Sequence, residues 1–461
     1  MYACVLIGLV ACTEHDSLPD KPEGGAVMVS FSTGVASESD TRAYTGRIDD
    51  VDALMKVSDG FGVFAYLTET QTWDAATSGK AVGDADYPLP DFMYNQSVYW
   101  GTQYVKGVEQ NDWVYSPPKY WPNTSNNAED YRYISFYAYA PFVSLAELEA
   151  QSTCITAMPG TTDKAPHVVY TMRDGTELLD LLYASCPNAK RTGNGLIEVS
   201  TSGEPPVTTQ TYQRVPLTFK HALSRVDFYV QRLYNEETFT GQKPDAENHT
   251  KIFVSKLELE ETSATPKAIY SKGRLDLASG TWSDLTGKTG VVDDDKKMSY
   301  AEETFSNAIG GTAFAAEGAT PLQLITIRNT ELDKWGKDGF GVDDQERPLF
   351  TGSSSLFFIP QTMTITPTLT FSLVTRDDEL ALNDLADSED HKYVRILNRV
   401  EGDPVTLNLE KGKRYKVLVH VGVETVHFEV VGVEDWDFPI RVTPEIDPYK
   451  QDPKEKTLNE S

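Results

Sequence analysis

Apolar side chains that alternate with period two, in short runs broken by Gly, Pro and Asn, constrain this chain more than any other feature. Val27, Val29 and Phe31 fall on one face of Val27-Met28-Val29-Ser30-Phe31-Ser32, because successive side chains of a strand point to opposite faces of a sheet. Phe61-Gly62-Val63-Phe64-Ala65-Tyr66, Ser97-Val98-Tyr99-Trp100 and the run from Tyr133 to Tyr139 follow, spaced by turn-forming clusters. Tyr (23) and Phe (19) supply most of the aromatic residues, and rings in such runs favour pleated surfaces over helical bundles. Helical spacing is confined to 145–149 and 177–182, one or two turns each and too short for a helical layer. The expected class is all-β, an antiparallel β-sandwich architecture with a few short helices.

At roughly 150 residues per domain, 461 residues allow about three domains or two large β ones. Residues 187–214 are rich in Gly, Ser, Thr and Pro, including Pro205-Pro206, and this composition shift marks the expected boundary. Two sandwiches are expected, at 27–213 and 214–443, with a tail over 444–461. Strand composition in the second covers 215–219, 225–231, 251–259, 273–277, 322–327, 355–359, 364–374 and 414–431, the last a hairpin. Thr33 to Asp50, which has no sustained periodicity, is expected as an exposed connection. Pro444, Pro448 and Pro453 interrupt the tail too often for a central strand.

Tyr2 to Ala11 is apolar or small throughout and stops at Cys12. This is too short to span a membrane and fits the hydrophobic region of a signal peptide. Leu9-Val10-Ala11-Cys12 resembles a bacterial lipobox, so residues 1–11 are expected to be removed and Cys12 lipidated, with 12–26 as a tether. No Lys or Arg precedes the apolar run, which places the expected translation start a few codons upstream. Loss of the leader leaves Cys154 and Cys186. An oxidising compartment permits a disulfide between them, and two buried thiols are the alternative.

Forty-one basic against 69 acidic residues give a net charge of -28, which repels phosphate backbones and argues against nucleic acid as a partner. None of that charge lies in the first eleven residues. The chain has no Gly-x-Ser-x-Gly elbow and no Gly-rich phosphate loop, so no catalytic residue and no cofactor is expected. His420 and His427 can face each other across the hairpin, but zinc needs three or four ligands, and no further ligand is fixed nearby. Asp293-Asp294-Asp295 and Asp343-Asp344 lack the alternating ligands of a calcium loop. No metal is expected. Tyr94, Tyr99, Trp100, Trp113, Tyr115, Tyr120 and Trp121 open the densest aromatic segment. Such rings fill a core or, if displayed, stack on sugars, which makes a surface glycan-binding lipoprotein the alternative function.

An ordered set of motifs resembles the fimbrillins of type V pili over almost the whole chain. It runs from Val29-Ser30-Phe31-Ser32 and Thr41-Arg42-Ala43 through Phe92-Met93-Tyr94-Asn95-Gln96, Trp113-Val114-Tyr115-Ser116-Pro117-Pro118-Lys119-Tyr120-Trp121-Pro122 and Ile134 to Pro141. It continues with Leu217-Thr218-Phe219-Lys220-His221-Ala222-Leu223-Ser224-Arg225-Val226, Phe358-Ile359-Pro360-Gln361, Gly412-Lys413-Arg414-Tyr415 and Val433-Glu434-Asp435-Trp436. The resemblance implies two transthyretin-like sandwiches in a surface lipoprotein of the outer membrane and fimbrium. Its partners would be other fimbrial subunits, with a host protein or glycan as a further ligand. The resemblance also implies cleavage after Arg42, or Arg47, to remove the first strand with Val27, Val29 and Phe31. A neighbour's terminal segment, here carrying Phe438, Ile440 and Val442, would then fill the groove.

Overall fold

The computed structural model describes residues 27–35, 48–105, 108–122, 131–172, 179–192, 195–200, 209–232, 250–265, 268–287, 297–301, 322–328, 342, 345–349, 355–376, 390–422 and 426–436. These residues form β-sheets with three short helices, Val51–Met55, Trp73–Thr77 and Leu145–Ala150. The last starts in a capping box: the Ser144 hydroxyl accepts from the Glu147 amide, and the Glu147 carboxylate accepts from the Ser144 amide. The second expected helical turn does not form over 179–182, because Leu182 opens the strand Leu182–Arg191. Leu181 and Leu182 are both fully buried, in different hydrophobic clusters, and only extended backbone sends adjacent side chains to opposite sides.

A nine-stranded sheet organises the first half. Its main path runs Phe31–Val35, Val215–His221, Leu182–Arg191, Tyr133–Ala140, Phe61–Glu69, Met93–Val105 and Val108–Val114. The central strands are buried on both faces, which is why Phe61 to Tyr66 reads as a nearly continuous apolar run. Phe61, Val63, Ala65, Phe136 and Ala138 face one cluster with Val29, Phe31 and Phe219. Phe64, Tyr66, Tyr137 and Tyr139 face another that continues into the second half.

In that half a five-stranded sheet built on Ser224–Arg232, Lys413–Val421 and Val426–Asp435 shares its core with a six-stranded sheet built on Thr250–Glu261, Gln361–Arg376 and Asp390–Glu401. The expected hairpin is present, with His420 opposite His427, ring centroids 6.1 Å apart.

Two pairings depart from an all-antiparallel sandwich. Phe31–Val35 runs parallel to Val215–His221, and Ser224–Arg232 runs parallel to Lys413–Val421. Hydrogen bonding also divides differently from composition. Val215–His221 lies in the first sheet through Lys220 opposite Tyr183, and the hairpin Tyr270–Asp276/Trp282–Gly287 joins Ile155–Ala157 and His167–Thr171 in one four-stranded sheet. Strands from each side of the 187–214 composition shift complete each other's ladders. Thr33 to Asp50 is not wholly an exposed connection either, since the first strand continues to Val35 and Ile48 and Asp49 are buried.

Cys154 and Cys186 form no disulfide. They are buried in different clusters, Cys154 beside Ile155 and Tyr139 in the shared core and Cys186 in the first-half cluster, so the fold separates the pair considered from sequence.

Two consequences are measurable. Gly280, at φ +67°, sits so close to Tyr183 that a Cβ would lie 2.1 Å from the phenol oxygen, and Lys411 Nζ donates to that oxygen at 2.9 Å. Gly280→Ala should therefore lower stability by about 1–3 kcal/mol in urea unfolding, through overpacking and a left-handed backbone. Burial pushes the Cys186 thiol up to about 12. The thiolate is the reactive form, so iodoacetamide at pH 8.5 should label Cys186 in the unfolded chain and leave it unlabelled in the folded one, as read by mass spectrometry.

Candidate functional site

The first strand is held by few backbone bonds and many ring contacts. Its ladder to Val215–His221 pairs Phe31 with Val215 and Val35 with Phe219, and Val215 N donates to Ser30 O at 2.9 Å. Just before it, Val29 N donates to Lys119 O at 2.8 Å and Trp121 N to Val27 O at 3.0 Å, around a bridge from Met28 to Tyr120. The pleated strand expected at 27–31 is thus two pieces: a short antiparallel contact at 27–29, then a parallel strand from Phe31. Val29 and Phe31 are fully buried and Val27 is half-buried.

Phe31 packs edge-on against Phe61, Tyr115 and Phe136, with centroids 6.3, 5.8 and 5.7 Å away. The Tyr115 hydroxyl donates to Val29 O at 2.7 Å, and burial raises its phenol well above the ordinary value. The strand ends the sheet's main path, and among the described residues its ladder has one partner. Ser224–Arg232, the parallel-paired strand of the second half, also bonds Ser355–Phe358 and Arg347–Pro348 on its other side. An apolar groove flanked by a strand edge can exchange one strand for another, because main-chain bonds are indifferent to sequence while alternate pockets select side chains.

A polar cluster lies at the far end of Val215–His221. His221 Nδ1 is 2.9 Å from Asp180 Oδ2, with both side chains fully buried, and Ile48 N donates to the same oxygen at 3.3 Å. The His221 ring stacks on Trp436 at 3.5 Å. Trp436 Nε1 donates to Asp49 Oδ1 at 3.3 Å, where Arg225 Nη1 also points at 3.4 Å. Arg225 Nε donates to Asp227 at 2.8 Å, and Arg414 Nε donates to the other Asp227 oxygen at 2.6 Å. Three motifs far apart in sequence, around 221–225, 412–415 and 433–436, therefore meet at one junction. Asp49 and Asp180 were not singled out from the sequence; the available signal was a lone carboxylate inside Leu178-Leu179-Asp180-Leu181-Leu182.

Of the sequence-derived sites, Val27, Val29 and Phe31 come together in the groove, whereas Cys12, Arg42, Arg47, Phe438, Ile440 and Val442 lie outside the described residues. Trp113, Tyr115 and Trp121 are core residues at 5%, 6% and 3% exposure, so they do not form the sugar-stacking surface considered for that region. Tyr94 and Tyr99 are exposed.

The model of the fimbrillin-like family matches residues 41–436. The chain is 24% identical to Fimbrium subunit Fim1C of Phocaeicola vulgatus over 328 residues, 69% of this chain and 67% of that protein. Among solved structures, a fimbrial protein from Bacteroides vulgatus ATCC 8482 superposes with a TM-score of 0.53 at 18% identity, covering 89% of this chain and 99% of that one. That likeness extends to the fold. With a family model spanning nearly all of the described structure, from the first strand's connection to the Trp436 junction, the chain belongs to the fimbrillin-like family.

Proposed function

We propose that the protein is a structural or adhesive subunit of type V-like fimbriae. It is exported as a lipoprotein through Cys12, reaches the outer surface of the outer membrane, and assembles when cleavage after Arg42 or Arg47 removes its first strand. The vacated groove then takes a strand from a neighbouring subunit, and the segment with Phe438, Ile440 and Val442 supplies the alternating apolar side chains for that donor. The carrying observation is the asymmetry of the first strand: its side chains fill a ring-lined pocket, yet among the described residues its ladder bonds one neighbour. Withdrawal leaves Val215–Phe219 without its ladder partner and the pocket of Phe31 open to water. An incoming strand offsets both costs.

The reading is tested on assembled material. N-terminal sequencing should find Ala43 or Ile48 first, and the double variant Arg42→Ala/Arg47→Ala should yield no polymer; fimbriae whose subunits begin at a lipidated Cys12 would reject strand removal. Phe31→Ala should destabilise the unprocessed chain by about 3–5 kcal/mol in urea unfolding, as for other buried rings cut to Ala. It should leave the stability of polymer unchanged, since the strand that carries it has been replaced there.

A further inference from the structure

The buried carboxylate of Asp180 is incompletely matched in the intact chain. One oxygen, Oδ2, meets the Ile48 amide at 3.3 Å and the His221 imidazole at 2.9 Å. The other, Oδ1, takes no hydrogen bond among the described residues, although the residue is 1% exposed. A buried acceptor left without a donor is costly, and natural folds keep few of them without a use. The backbone amide that donates to this carboxylate belongs to Ile48, the residue at which a chain cut after Arg47 begins.

We propose that Asp180 is a binding site for the α-ammonium group that forms on Ile48 when the chain is cut after Arg47, and that this ion pair fastens the junction of the two halves. The inference rests on the processing reading above and specifies its chemistry at one of the two arginines. Hydrolysis of the 47–48 peptide bond consumes one water. Its oxygen becomes part of the Arg47 carboxylate and both its hydrogens go to the Ile48 nitrogen, turning one N–H into an ammonium with three. Three donors reach both oxygens of Asp180, where the single amide reaches one. A charge-assisted pair is about twice as strong as a neutral bond and is screened little where water is excluded.

The surroundings hold the nitrogen in place. The Ile48 side chain is fully buried in the first-half cluster, and Asp49 is gripped by Trp436 and Arg225 from the second half. The Asp49 contacts, made to Arg225 and Trp436, do not depend on the residues before Ile48 and hold the neighbouring backbone in place. The groups facing the new charge are Asp180 and His221, with Asp49 and Arg225 beside them. Cleavage after Arg42 has no such outcome, because Ala43 to Arg47 would still precede Ile48 and keep its nitrogen an amide. The site thus distinguishes the two arginines. It also ties the processing point to Trp436, the last described residue before the segment that carries Phe438, Ile440 and Val442.

The test uses the full exported chain. Tyr44→Ile and Thr45→Glu convert Tyr44-Thr45-Gly46-Arg47 into the factor Xa sequence Ile-Glu-Gly-Arg, so cleavage after Arg47 can be imposed whatever the natural protease prefers. In the native nicked protein, acetylation of the Ile48 amine at pH 8 should be at least tenfold slower than in the nicked Asp180→Asn protein, and the two should react equally once unfolded in urea. Equal native rates would overturn the proposal. If Asp180→Asn does not fold, nitrogen-15 NMR of the isoleucine-labelled nicked chain decides. An amine that titrates at least one pH unit above that of a free peptide is expected, and one that titrates at or below it overturns the ion pair. Fimbriae that begin at Ala43 would instead remove Arg47 as the natural site, an outcome separate from either result.

Discussion

The strand Val215–His221 carries two loads that the rest of the structure depends on. Along residues 215–219 it is the ladder partner of the first strand, and at Lys220 and His221 it turns to pair with Leu182–Arg191. Its buried residues alternate strictly, Val215, Leu217, Phe219 and His221 inward, with Thr218 and Lys220 exposed. Three of the inward residues floor the groove, and the fourth reaches Asp180 and Trp436. Groove and junction are thus two ends of one rigid element.

The two parallel pairings set the first strand apart from its counterpart in the second half. In each half, the opening strand lies parallel to one near that half's end. Ser224–Arg232 is bonded along both edges, so withdrawing it would orphan backbone groups on two neighbours and strip Val226, Phe228 and Val230 from the core. The Phe31–Val35 ladder has one described partner, and the anchoring added at 27–29 rests on bonds to Lys119 and Trp121 in a loop-borne turn. Each fully buried apolar side chain contributes on the order of 1.5–3 kcal/mol. Most of the first strand's hold therefore comes from Val29 and Phe31, side chains that another alternating strand can imitate.

Much of this was legible in the sequence because it depends on local rules. Period two identified the strands and the hairpin within 414–431, which the structure extends to 413–435, and the run at 145–149 identified the helix at Leu145–Ala150. The helical turn expected at 177–182 does not form over 179–182, because Leu-Leu-Asp-Leu-Leu satisfies helical spacing while Leu181 and Leu182 bury on opposite sides of an extended chain. The strand pairing across the boundary expected at 214 was not legible for a related reason. Composition registers where the chain crosses solvent, whereas strand partnership is non-local: Lys220 pairs with Tyr183, and Gly273 with Tyr170. The aromatic segment remained ambiguous until burial was known, since a Trp reads the same in a core and on a binding face. Asp180 was invisible for the opposite reason. One acid among 69 has no pattern of its own, and only its burial beside Ile48 and His221 gives it meaning.

The charge sharpens what kind of contact can join such subunits. Copies carrying -28 each repel one another wherever their surfaces approach. Salt screens that repulsion beyond about 8 Å at physiological ionic strength but not at contact. Two acidic faces laid side by side would keep much of it, and among the described residues the exposed large apolar side chains, Val82, Leu89, Tyr94, Tyr99, Leu145, Val431 and Val433, are scattered over several elements. On the strand-exchange reading proposed above, a strand inserted into a groove would concentrate the attraction where charge is absent. Phe61, Tyr115, Phe136 and Phe219 line the pocket, and backbone donors and acceptors supply the rest of the bonding. Short-range terms then act over a narrow buried seam while the charged surfaces stay in water, so an acidic exterior and firm subunit contact are compatible in one chain.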